Sequence, residues 1–140
     1  MTGTQCEKMF CEWLKKKGYW VLNIPRSKSG SQPFDIIAMK TRALRSNMSI
    51  VADCKLISTK AKRFPLARVE DNQWLAFEAV SQKTRAFPCL FVFHTNSGEM
   101  FVIPYYELKV AKDAERPSIL LVDKYLAEDR LDMMERLWWD

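Results

Sequence analysis

The chain has 140 residues, 48% of them apolar and 12% aromatic, which is enough for a single domain with its own core and excludes a disordered chain. No apolar run approaches the ~20 residues that a membrane-spanning helix needs. The net charge of +5 is unevenly spread: residues 1–85 carry 16 Lys and Arg against 7 Asp and Glu, while residues 86–140 carry 6 against 10. Positive charge gathered in one half points to a polyanionic partner, although solubility alone also accounts for a basic surface.

Taken in order, Thr4 and Glu7 form a T-x-x-E capping box that opens a first helix, Phe10, Trp13 and Leu14 supply its apolar stripe, and Gly18 stops it. Glu7 on this reading is a helix cap. Lys15 to Lys17 stand at the wrong end for a secretory signal, so the expected location is cytoplasmic, with no membrane contact. Cys6, Cys11, Cys54 and Cys89 form no CxxC pair, and with a single histidine in the chain they read as reduced, mostly buried thiols, not zinc ligands.

Tyr19 to Ile24 is expected to be a strand, followed by a polar Ser/Gly loop from Pro25 to Gln32. Its Arg26, Lys28 and Ser29 are candidates to wrap a phosphate backbone, or to form an ordinary solvated loop. Two short apolar runs follow, Pro33 to Ala38 and Ile50 to Lys55, joined by a polar stretch holding Lys40, Arg42, Arg45, Ser46 and Asn47. They read as a hairpin. Period two along the second strand sends Met48, Ile50, Ala52 and Cys54 to one face and Val51, Asp53 and Lys55 to the other. Asp53 and Lys55 therefore share a face, with Asp35 on the neighbouring strand. Charged groups there are costly to bury unpaired, and two acids and a lysine suit a divalent cation and a phosphate.

Ser58 to Arg63 is basic, reads as a mobile arm, and leads into Phe64-Pro65-Leu66. A long helix is expected from about Arg68 to Lys83, with Gln73 in its first turns. Pro88 to Phe93 and Met100 to Ile103 form a second hairpin around Thr95–Gly98, and His94 at its end is assigned a structural role. A helical turn from Pro104 to Leu108 precedes a polar connector. A closing helix from about Asp123 carries Leu126, Met133, Met134, Leu137 and Trp138, to pack on the core or on a partner.

An acid-x-Lys triplet alone is a weak signal, since Glu107-Leu108-Lys109 is another one. Phe34-Asp35 followed by Asp53-Cys54-Lys55 nevertheless resembles the PD-(D/E)XK nuclease signature, and its surroundings resemble the Holliday junction resolvases of that superfamily. Glu7 ahead of Gly18, Tyr19-Trp20-Val21 and the Ser-Gly loop are similar to the archaeal type. Phe64-Pro65-Leu66, Gln73 and Ile103-Pro104-Tyr105 are similar to the RecU type. Asp53 departs from the glutamate more often found there, and the acidic last helix has no match in the family.

The resemblance implies an α/β restriction-endonuclease-like core, with a central mixed β-sheet flanked by helices, forming one nuclease domain over residues 1–140. It implies a Mg²⁺-dependent endodeoxyribonuclease, with Mn²⁺ as substitute, that hydrolyses branched DNA such as a four-way junction. The implied catalytic set is Glu7, Asp35, Asp53, Lys55 and Gln73. Asp35, Asp53 and the main-chain carbonyl of Cys54 would hold the metal, and Glu7 would complete the shell through water. Arg26, Lys28, Ser29, Lys60, Lys62, Arg63 and Arg68 are the expected DNA contacts, and a nucleoid-associated homodimer is the expected assembly. Two alternatives stay open: a nuclease of this fold acting on ordinary duplex or ends, and a catalytically silent nucleic-acid-binding relative.

Overall fold

The computed structural model describes residues 1–26, 32–43 and 46–139, with backbone only at residues 42, 43, 46, 138 and 139. Lys28 and Ser29, expected to contact DNA, and Arg45 in the hairpin connection lie outside the described residues, as do the side chains of Trp138 and Trp139.

Helix α1 spans Gly3–Lys16 and is opened by Thr2, not Thr4. The Thr2 hydroxyl accepts from the Gln5 N–H at 3.2 Å, and Gln5 Oε1 accepts from the Thr2 N–H at 2.7 Å. This reciprocal pair caps the first turn. Glu7 is left a full turn inside the helix and has no capping role. Gly18, at φ +91°, takes the left-handed conformation that ends the helix.

Among the described residues, strands β1 (Trp20–Asn23), β2 (Ile36–Ala43), β3 (Ser46–Ile57), β5 (Phe87–His94) and β6 (Glu99–Pro104) form one sheet in the order β1-β2-β3-β5-β6. All neighbours are antiparallel except β3 and β5. A parallel pair needs a crossover. That crossover carries β4 (Arg63–Pro65), a 3-10 turn at Leu66–Arg68, and helix α2 (Asp71–Lys83). Beyond β6 come α3 (Tyr105–Asp113), β7 (Ser118–Leu120), which pairs antiparallel with β4, a 3-10 turn at Asp123–Tyr125, and α4 (Ala127–Trp139). The chain thus adopts the expected α/β architecture, a mixed sheet flanked by helices.

The sheet separates two apolar clusters. Phe10 and Leu14 of α1 and Leu131 and Met134 of α4 pack with Ile36, Ile50 and Phe91 on one side. Phe77 of α2, Leu108 of α3 and Phe64 pack with Leu90, Phe101 and Ile103 on the other. Phe10, Phe64, Phe77, Phe91 and Phe101 are all fully buried, and each contributes roughly 1.5–3 kcal/mol by leaving water. Phe91 and Phe101 of the β5–β6 pair are therefore interior. Met133 and Leu137 of α4 do stay exposed.

Three local expectations change. Asp35 stands one residue ahead of β2, although its N–H donates to the Ala52 carbonyl at 2.9 Å and keeps it on the ladder. The polar stretch after Ala38 continues the strands, with Lys40 opposite Met48 and Thr41 opposite Asn47. The basic segment after β3 is no loose arm. Buried Phe64 anchors it through β4, Lys62 pairs with Glu99, and His94 Nε2 lies 2.6 Å from the Thr59 carbonyl oxygen. His94 Nδ1 lies 2.7 Å from the Ser97 hydroxyl, so both ring nitrogens serve structure.

Candidate active site

Alternation along β3 sends Met48, Ile50 and Ala52 into the α1/α4 cluster and turns Asp53 and Lys55 toward α2. Both charged groups are buried, Asp53 at 4% exposure and Lys55 at 9%. Lys55 Nζ lies 3.0 Å from Asp53 Oδ2 and donates to Gln73 Oε1 at 3.1 Å. Asp53 Oδ2 and the ammonium pair as charges, yet the oxygen meets no hydrogen-bond geometry among the described residues. A buried carboxylate oxygen so poorly satisfied is costly unless a further group completes it.

Asp35 enters from the neighbouring strand entrance, where its Oδ2 accepts from the Cys54 N–H at 2.9 Å. Gln73 is the third residue of α2, and its Oε1 also accepts from the Glu70 N–H at 3.0 Å. One amide oxygen thereby ties the start of α2 to the Lys55 ammonium. Glu7, 4% exposed, approaches from α1, and its Oε2 accepts from Arg26 Nη2 at 3.2 Å. These residues open onto a cleft of about 150 Å³ lined by Arg26, Gln32, Asp35, Asp53, Lys55, Glu70 and Gln73.

The electrostatics follow from crowding. Burial first, then the nearby Asp35 carboxyl, push the Asp53 carboxyl up to about 7 against the opposing pull of Lys55. Glu7 is raised as well, by burial and then by Asp35, with Arg26 acting the other way. Cys6 is pushed up to about 12, chiefly by burial, and burial also holds the Cys54 thiol well above its ordinary range. Neither thiol is poised as a nucleophile. The acids hold more negative charge than Lys55 and Arg26 comfortably compensate, which suits an additional cation.

The donor set fits a hard divalent ion, since carboxylate and carbonyl oxygens are what Mg²⁺ prefers. No group of three or more His, Cys, Asp or Glu side chains among the described residues forms a metal cage. Mg²⁺ ordinarily binds through one or two carboxylates, retained waters and substrate phosphate, so the absence of a cage is compatible with it.

Of the residues singled out from sequence, Asp35, Asp53, Lys55, Gln73 and Arg26 meet at the cleft, and Glu7 stands beside Arg26. Lys60, Lys62, Arg63 and Arg68 do not line it. Lys62 is engaged by Glu99, Arg63 Nη1 donates to the Ser118 hydroxyl at 3.3 Å, and Arg68 Nη1 donates to the Leu56 carbonyl at 3.2 Å. Sequence reasoning missed Glu70 and Gln32. The Glu70-x-x-Gln73 spacing was the available signal for the first; Gln32 carries none beyond its nearness to Asp35. A larger cleft of about 640 Å³ lies between α3 and β7, away from these acids.

No protein-family model and no curated protein matches the sequence. Among solved structures the chain is similar to Hjc of Archaeoglobus fulgidus, a Holliday junction resolvase from an archaeal hyperthermophile. The similarity covers 74% of this chain and 78% of that one, with 16% identity and a TM-score of 0.49.

Proposed function

We propose that this cleft is the active site of a metal-dependent DNA endonuclease that hydrolyses phosphodiester bonds in branched DNA. The observation that carries the reading is Lys55, a buried ammonium fixed between Asp53 at 3.0 Å and Gln73 at 3.1 Å beside the Asp35 carboxylate. Burying Asp53 and Lys55 beside a third charged group for structure alone is unfavourable, and such convergence in a cleft is characteristic of chemistry.

Asp35, Asp53 and the Cys54 main-chain carbonyl would hold Mg²⁺, or Mn²⁺ in its place, with Glu7 reaching it through water. When bound, the ion supplies charge neutralisation at the phosphate and a more acidic water. Lys55 is a compact cation that orients or polarises the attacking water. Gln73 limits how far the ammonium can move, because its amide oxygen is already anchored to the start of α2. Arg26 meets a phosphate at the rim. Hydrolysis by a positioned water needs no covalent enzyme intermediate.

One site per chain makes one incision, whereas resolving a four-way junction takes two in strands related by a two-fold axis, so the working unit is a homodimer. Exposed Met133 and Leu137 on α4 are available for its interface. The test is a matched panel of four-way junction, flap and linear duplex, incubated with Mg²⁺ or with chelator, while light scattering reports assembly. Paired, Mg²⁺-dependent junction cuts by a dimer are expected. A monomer cutting linear duplex as readily would replace branched DNA with ordinary duplex as substrate, and binding without cutting under any metal would remove the enzyme.

A further inference from the structure

Arg26 is the outlier of the site, being a mostly exposed side chain committed to a buried partner. Its side chain is 67% exposed, while that of Glu7, 3.2 Å away, is 6% exposed. The guanidinium lies against the first turn of α1, where a Cβ added at Gly3 would stand 3.5 Å from Arg26 Nη2. It thus reaches from the end of β1 across the helix to close one side of the cleft that holds Asp35 and Asp53. Lys55 is taken up by Asp53 and Gln73 on the other side. The carboxylates are therefore divided between two cations, one buried and boxed in, the other tethered at its tip and otherwise in solvent.

We infer that Arg26 is the resident counter-ion of the Glu7 side of the cluster, which a divalent cation displaces and which is then released to a DNA phosphate. The inference rests on the metal-dependent reading of the cleft. Two features of the chain make the exchange feasible. The guanidinium itself is mostly in solvent, so water takes over its contacts when it leaves, and the incoming cation replaces its charge beside the buried Glu7 carboxylate. A guanidinium freed at the rim of a phosphate-binding cleft also presents a planar fork that matches phosphate oxygens. Cation loading and DNA engagement are thereby linked through one side chain. Without DNA, Arg26 competes with the metal; with DNA, it has another anion to pair with, and competition is relieved.

The experiment is a titration of the full chain with Mn²⁺ alone, without DNA, in wild type, Arg26→Gln, Glu7→Gln and the double variant, read by calorimetry. Arg26→Gln should bind Mn²⁺ about three- to tenfold more tightly than wild type, a gain equivalent to ~0.6–1.4 kcal/mol. In the Glu7→Gln background the same substitution should change affinity less than twofold, because the group it neutralises is already uncharged. Adding catalysis-independent binding of a junction in Ca²⁺, Arg26→Gln should weaken DNA binding while tightening Mn²⁺. An equal gain in both backgrounds would show a general loss of positive field, and an unchanged or weaker Mn²⁺ affinity would show that Arg26 does not compete; either result overturns the counter-ion role alone. Failure of wild type to bind Mn²⁺ at all would remove the metal-dependent reading together with it.

Discussion

The chain holds two acid-x-Lys triplets, Asp53-Cys54-Lys55 on β3 and Glu107-Leu108-Lys109 on α3, and they have opposite fates. On the strand, residues two apart point the same way, so Lys55 Nζ comes within 3.0 Å of Asp53 and both groups are buried. On the helix, residues two apart do not face each other. Glu107 turns to Arg130 at 3.5 Å and Lys124 at 3.8 Å, while Lys109 turns to Glu78 at 3.3 Å. The same acid-x-Lys pattern thus yields a cleft in one place and unrelated tethers in the other. What distinguishes them is backbone period plus a neighbouring strand that brings Asp35.

The widest separation between the two regions should come from the carboxylate that only β3 recruits. Asp35→Asn is expected to lower cleavage by about 10³-fold or more while junction binding holds or improves, because a proposed metal ligand and a repulsion toward phosphate go together. Wild-type turnover by this variant in a rapid-quench assay would dissolve the contrast between the triplets. Next comes the lysine pair. Lys55→Ala should cost about 10²-fold in turnover, in the range of a lost acid–base or water-positioning group, and Lys109→Ala should stay within about twofold. Equal losses would mean that positive charge anywhere suffices.

On the proposed reading, proton and cation compete for Asp53, which sharpens the comparison further. Its carboxyl is raised to about 7, so between the ordinary carboxylate range and pH 7 the folded chain binds more protons than the unfolded one. The stability this gives is present at low pH and lost as pH rises through 7. Mn²⁺ should take the proton's place above that point. Saturating Mn²⁺ is expected to raise Tm by roughly 3–5 °C at pH 8 and by under about 1 °C at pH 5.5. A gain independent of pH would show that the ion binds elsewhere.

The fold was legible where periodicity was strong. Side chains alternate along Ile50 to Lys55, and so the sequence alone puts Asp53 and Lys55 on one face, opposite Ile50 and Ala52. The cap of α1 is ambiguous in sequence because Thr2-x-x-Gln5 and Thr4-x-x-Glu7 overlap, and spacing alone does not say which is used; tertiary contact with Arg26 gives Glu7 its place. Ser58 to Arg63 looked mobile because its charges are local and its anchors are remote. Glu99 and the β7 strand, which hold it, lie far along the chain. The sequence pattern puts Gln73 in a helix, but its bond to Lys55 depends on the crossover from β3 to β5, which no local pattern encodes.

That anchored segment makes the smallest expected effect. Binding should weaken with salt, and replacing Lys60, Lys62 and Arg63 together by alanine should lower the salt slope by about one phosphate contact, not three, since Lys62 and Arg63 already have partners. A fall of about three in a fluorescence-anisotropy titration would show that DNA strips those partners away.

The most direct test of the β3 site is single-turnover cleavage of a four-way junction by Asp53→Asn, with Mg²⁺ and with enough protein to bind all the DNA. Asp53 belongs to the strand triplet, pairs with Lys55 and contributes to the proposed metal site, so full binding is expected with cleavage reduced about 10³-fold or more. Cleavage at the wild-type rate by fully bound Asp53→Asn protein would contradict it.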